Sequence, residues 1–309
     1  MTTPFPVNFV LSFPLFYMLQ FLHLLYCSIS EGCRGKMIID PHPEGPIGKI
    51  FEQFWDSMGR SPSPPLLMSD YDGTLAPFVM EREKAFPWPG MTACISRIVE
   101  AGGIVVLISG RDARDVGRLS GLVGKVEIWG NYGRERVFPD GTVFQIPLDP
   151  SQKEGLETAV KIVEQEGILH WIEKKEMSVA LHWRGRDCRF YARQIENICL
   201  GWESICRRFR LVISPFCGGI EVTGPDIHKG VVVKALLEEH PSSVSAYLGD
   251  DVSDAKAFAA MRGKGLSVLV TAEERETEAL VQLSPPGEVT SFLNRWCACL
   301  ARRRGASYG

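Results

Sequence analysis

The chain has 309 residues, 45% of them hydrophobic and 23% charged, with a formal net charge of −3. That length holds a full core and one insertion, and the nearly balanced charge excludes a strongly basic nucleic-acid surface. The nine cysteines (27, 33, 94, 188, 199, 206, 217, 297 and 299) are odd in number and form no Cys-x-x-Cys pair, so reduced thiols are expected rather than a zinc site or a disulfide framework.

From Met1 to Ser30 there is no Asp, Glu, Lys or Arg, and Phe9 to Cys27 is almost wholly apolar. That run is nearly long enough to span a bilayer. It lacks the basic start of a signal peptide, and Pro14 interrupts any helix begun before it. Three readings stand open: a signal or membrane anchor, an unstructured extension preceding a start at Met37, or a packed helix. Turn chemistry makes Asp40-Pro41-His42-Pro43-Glu44-Gly45-Pro46 a linker. Residues 1–46 are therefore expected to be an apolar extension plus linker. Membrane contact is expected, if at all, through residues 1–30, and the folded part is expected to be cytoplasmic.

A helix is predicted over 47–58, with Ile50, Phe51, Phe54 and Trp55 on one face and Ser61-Pro62-Ser63-Pro64-Pro65 stopping it. Leu66-Leu67-Met68 then reads as a short buried strand running into Asp70, Asp72, Gly73 and Thr74. Residues two apart in an extended segment point the same way, so both carboxylates would flank one centre. Like charges this close are costly unless a cation neutralises them or one holds a proton, and hard cations such as Mg²⁺ take oxygen ligands. The plainer alternative is an Asp/Gly turn without chemistry. Thr92 reads as the N-cap of a helix carrying Ile95, Ile98 and Val99, closed by Gly102-Gly103. Strand 104–108 leads to Ser109-Gly110-Arg111, a helix starts from Asp112, and 126–129 makes a third strand. Such alternation argues for a doubly wound parallel sheet, whose ligands sit beyond the carboxyl ends of the strands. Asp70, Ser109 and Asp250 all follow strand-like runs and should converge.

Between about 145 and 214 the pattern changes to helical stretches 155–166 and 187–200 beside strands 177–184 and 209–213. In Met177–Arg184, Met177, Val179, Leu181 and Trp183 share one face and Ser178, Ala180, His182 and Arg184 the other. The core is expected to resume with strand 219–223. A helix at Lys229, strand 245–248, the acidic run Gly249-Asp250-Asp251-Val252-Ser253-Asp254, helix 253–261, strand 266–270 and a last helix over 288–300 follow. Arg302-Arg303-Arg304 reads as a solvated tail. The expected division is core 47–144, cap 145–214 and core 215–309.

Asp70-Tyr71-Asp72-Gly73-Thr74, Ser109 after Ile104–Ile108, Lys229 and the 249–254 run resemble, in this order, the motifs of the haloacid dehalogenase-like phosphatases over roughly residues 60–298. The resemblance implies an α/β fold: a doubly wound parallel-sheet core with an inserted α+β cap of the C2 type. Within that superfamily the chain resembles the trehalose-6-phosphate phosphatases. The likeness is carried by Asp70–Leu75, Gly130-Asn131-Tyr132-Gly133-Arg134-Glu135, Glu173-Lys174-Lys175 leading to His182-Trp183-Arg184, Glu221 with Pro225 and His228-Lys229-Gly230, and Ser284–Trp296. Three positions depart from the pattern: Tyr132 where the family has His, Ser253-Asp254-Ala255 where it has Thr-Asp-Glu, and Thr223 where it has Arg.

The resemblance implies Mg²⁺-dependent hydrolysis of trehalose 6-phosphate to trehalose and phosphate, a step of trehalose biosynthesis, through an aspartyl-phosphate. Asp70 would be the nucleophile and Asp72 the general acid and base. Mg²⁺ would be held by Asp70, the backbone carbonyl of Asp72, and Asp250. Ser109, Gly110 and Lys229 would hold phosphate, with Thr74 ordering the loop beside it. Asp251 and Asp254 would orient water, metal or Lys229, while Asn131, Lys175, His182, Arg184 and Glu221 would meet the sugar. A monomer acting on a small sugar phosphate, with no nucleic-acid partner, is expected. A phosphatase for another sugar phosphate, such as sucrose-phosphate or mannosylglycerate-phosphate, is the alternative enzyme. A regulatory or membrane-tethered binding module is the non-enzyme alternative, which loss of a core carboxylate would favour.

Overall fold

A computed structural model describes residues 45–79, 81–183, 185–186, 188–216, 218–250, 252–273 and 275–306. The expectations for residues 1–44, Arg184 and Asp251 fall outside them. Leu66–Ser69 (β1) is buried at all four positions, as a strand covered on both faces must be. It pairs in parallel with Ile104–Ile108 (β2) on one side and Ser245–Gly249 (β10) on the other. Outward from β2 lie Glu127–Gly130 (β3) and the antiparallel hairpin Glu135–Val137 (β4) and Val143–Gln145 (β5). Outward from β10 lie Leu266–Val270 (β11) and Val281–Leu283 (β12), completing an eight-stranded sheet. The chain thus winds one way from β1 and later the other way from β10. The crevice at such a reversal is where open α/β sheets bind ligands.

Alternate strand residues feed two hydrophobic layers, as the period of two requires. Leu67, Val105, Leu107 and Leu248 pack with Phe54 and Trp55 of Pro46–Arg60 (α1), Ile95 of Met91–Glu100 (α2) and Trp296 of Gly287–Ala306 (α8). Leu66, Met68, Val106 and Tyr247 pack with Val233 of Lys229–Glu239 (α6) and Phe258 of Ala255–Met261 (α7). The expected face of α1 is the buried one: Phe54 lies 5.7 Å from Trp296 and Trp55 5.0 Å from Phe292, ring centre to ring centre. Thr92, expected to cap α2, lies inside it. Gly90 takes the cap position in the left-handed region, and the Thr92 hydroxyl donates to the Ser120 carbonyl at 2.8 Å. Asp112 does cap Ala113–Ser120 (α3), accepting from the Arg114 N–H.

A second, antiparallel sheet is ordered Ile172–Lys174 (β6), Ser178–His182 (β7), Gly219–Thr223 (β9) and Val212–Phe216 (β8). It carries the helices Pro150–Gln165 (α4) and Ala192–Phe209 (α5). Helix α4 begins before the apolar period because Asp149 and Gln152 form a capping box around Pro150. Helix α5 runs on to Phe209 because Trp202, Ile205 and Phe209 extend the buried face of Ile195 and Ile198. The next strand is displaced accordingly, from the expected 209–213 to 212–216. Strand β9, expected to reopen the core, pairs instead with β7 and β8. The return to the larger sheet therefore comes after Thr223. Among the described residues no helix is long and apolar enough to cross a membrane.

Candidate active site

Where β1 ends, the Asp70 N–H donates to the Leu248 carbonyl of β10 at 2.8 Å, and the Tyr71 N–H donates to the Asp70 carboxylate at 2.7 Å. The nucleophile candidate is thereby fixed at the reversal of strand order. Gly73 follows at φ +78°, and a Cβ there would collide with the Asp250 carboxylate and the Phe78 ring. Glycine lets the β1 loop lie directly against the β10 loop.

Lys229, the first residue of α6, is buried between two carboxylates, 2.7 Å from Asp70 and 2.9 Å from Asp254. Asp254 also accepts from the Tyr247 hydroxyl and from the Asp250 N–H. Burial disfavours charge on Lys229, but Asp254 and Asp70 outweigh it and hold the ammonium well above its ordinary range. Burial pushes the Asp70 carboxyl up to about 7, with Asp254 and Asp72 adding to the rise and Lys229 opposing it. Carboxylate oxygens of Asp70, Asp250 and Asp254 lie within 4.8 Å of one another, all buried. Three clustered, buried carboxylates with one lysine among them carry surplus negative charge. An all-oxygen donor set of this kind fits a hard divalent cation. Asp70 and Asp250 belong to the expected metal set, with the Asp72 carbonyl; Asp254 beside them accepts from Lys229, as expected for a residue that orients it.

Asp72 turns its carboxylate to Arg111, which donates from Nε at 2.6 Å and from Nη2 at 2.7 Å. Ser109, just past β2, accepts on Oγ from the Arg111 N–H at 3.1 Å. Gly110 gives its carbonyl to Lys175 Nζ at 3.0 Å. A Cβ on Gly110 would sit 2.6 Å from Tyr132 Cζ. Tyr132 holds φ +59°, a conformation that is rare outside glycine, and its hydroxyl donates to Glu221 Oε2 at 2.7 Å. Glu221, on β9, also receives Lys175 at 2.8 Å and the Ser178 hydroxyl. Burial pushes its carboxyl up, yet Lys175, Ser178 and Tyr132 together hold it below its ordinary value. Burial pulls Lys175 down, with Arg82 and Arg111 adding to the fall and Glu221 opposing it. His182 Nε2 lies 3.1 Å from Glu173, and Glu173 pairs with Arg82 from the loop after β1.

These groups line one cavity of about 350 Å³: Asp70, Asp72, Ser109, Gly110, Lys229 and Asp250, together with Lys175, His182 and Glu221. Of the residues expected from sequence, Thr74, Asn131 and Asp254 do not line it. Thr74 is fully buried behind the first loop, and the Asn131 amide donates to Glu135 at 3.4 Å. Arg184 and Asp251 lie outside the described residues. The sequence reading gave no role to Arg111, Arg82, Tyr247 or Ser178. Arg111 was adjacent to a motif and Tyr132 was visible as a departure, but the partners of both are set by the fold.

The family model described as trehalose-phosphatase matches residues 68–284, a span that contains every group just described. The chain belongs to the trehalose-phosphatase family. Among relatives in that family, the trehalose-phosphate phosphatase of Mycobacterium marinum is 30% identical over 263 residues, covering 77% of this chain and 62% of that protein. The Mycobacterium tuberculosis trehalose-phosphate phosphatase is 30% identical over 250 residues, covering 75% and 61%. The chain thus spans about three-fifths of the length of the curated relatives it matches. The C-terminal domain of Candida albicans trehalose-6-phosphate phosphatase superimposes with a TM-score of 0.69 at 20% identity, over 80% of this chain and 96% of that one. Aspergillus fumigatus trehalose-6-phosphate phosphatase does so at 0.58 and 22%, over 85% and 100%. At that identity the superpositions establish a shared fold, the haloacid dehalogenase-like α/β core with its smaller sheet. Asp70, Asp72, Lys229 and Asp250 all line one cavity.

Proposed function

We propose that this protein hydrolyses trehalose 6-phosphate to trehalose and inorganic phosphate, with Mg²⁺ as its metal, through an aspartyl-phosphate on Asp70. The observation that carries this reading is the cavity itself, which brings Asp70, Asp72, Asp250 and the buried Lys229 together with the polar side chains of Lys175, Glu221 and His182. The Asp70 carboxylate attacks phosphorus while the bond to the sugar oxygen breaks. Asp72 protonates that departing oxygen. Water then attacks the phosphorus with Asp72 taking its proton, and the bond to Asp70 breaks to restore the carboxylate. The Ser109 hydroxyl and Lys229 hold the phosphoryl oxygens in both steps. Asp70 and Asp250, with the Asp72 carbonyl, would hold the cation, which would offset the charge on the transferring group, while Asp254 keeps Lys229 and the Asp250 N–H in place. Lys175, His182 and Glu221 receive the sugar hydroxyls.

The pairing of the smaller sheet supports a cap running from about 145 to 223, between core segments 47–144 and 224–306. The test is phosphate release from a panel of sugar phosphates with Mg²⁺ and with excess chelator. Preference for trehalose 6-phosphate and loss of release under chelation are expected. A higher specificity constant on another sugar phosphate would overturn the substrate, and metal-independent release would overturn the mechanism.

A further inference from the structure

Arg111 puts a guanidinium beside the reacting carboxylates, where a phosphate dianion would ordinarily claim it. Arg111 lines the cavity, and each of its guanidinium nitrogens serves a partner within the chain, with three of the five N–H groups engaged. Nε and Nη2 grip the two oxygens of Asp72 at 2.6 and 2.7 Å. Nη1 donates to the Arg82 carbonyl at 3.0 Å. The Arg111 backbone is tied as well: its N–H donates to Ser109 Oγ at 3.1 Å and its carbonyl accepts from the Asn131 N–H at 2.7 Å. The residue is 6% exposed, so its side chain has little room to turn towards another ligand. Two parallel N–H···O bonds fix a carboxylate in orientation as well as in place. A carboxylate has about four acceptor positions, so this grip leaves each Asp72 oxygen one further position that can take a proton and, once protonated, give it.

We infer that Arg111 is a positioning residue: its two-point grip aims the Asp72 carboxylate at the oxygen leaving phosphorus, and it acts through Asp72 rather than by binding phosphate. The inference rests on the reading of Asp72 as proton donor and acceptor. In the first displacement Asp70 forms a bond to phosphorus. The bond from phosphorus to the leaving oxygen breaks with its electron pair on that oxygen, and the Asp72 proton goes there. A sugar oxygen departs poorly without that proton, whereas a p-nitrophenolate departs without it. Misaiming Asp72 therefore penalises a sugar phosphate and spares an aryl phosphate. Loss of a phosphate ligand or of the fold would penalise both.

The experiment compares kcat/KM, which reports the steps through the first displacement, for the parent protein, Arg111→Ala and Arg111→Lys on trehalose 6-phosphate and p-nitrophenyl phosphate. Both variants are expected to lose about 10²–10³-fold on the sugar phosphate, within the range of one general acid, and less than about tenfold on the aryl phosphate. Added guanidinium ion should restore part of the Arg111→Ala loss on the sugar phosphate alone. Equal losses on the two substrates, or undiminished kcat/KM on the sugar phosphate, would overturn the inference. Should Arg111→Ala not fold, Arg111→Lys decides, since it keeps the charge and most of the volume but cannot make two parallel bonds. A parent inactive on trehalose 6-phosphate but active on another alkyl phosphate refutes only the substrate assignment, and the comparison then runs on that compound. A parent active on no alkyl phosphate overturns both.

Discussion

At the scale of single residues, the division of labour between Asp70 and Asp72 is open to direct measurement. Asp70→Asn removes the attacking oxygen and leaves Lys229 its second partner, Asp254. Phosphate release should vanish while the circular dichroism spectrum is unchanged, and parent-like turnover would refute the aspartyl-phosphate route. Asp72→Asn should lose about 10²–10⁴-fold in turnover and still accumulate phospho-Asp70, seen as an acid-stable, hydroxylamine-sensitive adduct. On the wall of the same cavity, Glu221 anchors Lys175, Ser178 and Tyr132. A site built to bond hydroxyls loses heavily when its buried partners go unpaired. Glu221→Ala and His182→Ala should each cut kcat/KM on trehalose 6-phosphate by roughly 10²-fold, with slight effect on p-nitrophenyl phosphate. Equal loss on both substrates would assign these side chains to stability rather than to the sugar.

At the scale of elements, α1 and α8 are held together by aromatic packing, with Trp296 fully buried against Phe54 and Trp55. Trp296→Ala should cost about 3–5 kcal/mol in urea unfolding, and a loss below about 1 kcal/mol would mean the pair of helices is peripheral to the core. The same elements show what a sequence discloses. Strands β1, β2, β10 and β11 were legible because buried parallel strands are continuous apolar runs ended by Asp, Ser or Thr. The hairpin of β4 and β5 was not, because three residues carry no period. Strand β9 was recognised as a strand yet assigned to the wrong sheet. Alternation around Ile220 and Val222 says that one face is buried, not which strands lie beside it. In the site, the residues on strand and helix ends were readable from their motifs. The Arg111–Asp72 grip joins residues 39 apart, and no local pattern encodes such a pairing. Asn131 shows the same limit: its motif position suggested the sugar, and its amide donates to Glu135, a contact that only the fold discloses.

At the scale of the whole molecule, a cation held at the acidic cluster would couple metal to folding. A cation that binds the native state alone adds stability, about 2.7 kcal/mol at a concentration 100 times its Kd. Mg²⁺ should therefore raise the Tm of the parent and do so far less for Asp250→Asn; equal rises would place the ion elsewhere. Glu221 adds a pH dependence. Its folded carboxyl lies below the unfolded value of about 4.3, so the unfolded chain takes up the proton first as pH falls. Its contribution is present above the unfolded value and is lost as pH drops through the folded one. Urea midpoints between pH 6 and pH 3 should fall less steeply for Glu221→Gln than for the parent, and parallel curves would refute the assignment.

The outermost strand of the large sheet has a consequence for handling the protein. Val143, Phe144 and Gln145 are all exposed, Phe144 by 59%, and among the described residues no strand pairs with their outer edge. A bare, apolar strand edge without lysine or proline is a template for pairing with another chain. Concentrated solutions should therefore coagulate through this hairpin before the cores unfold. Phe144→Lys should delay the onset of light scattering on storage or gentle warming without moving the Tm, and an unchanged onset would direct attention to another surface.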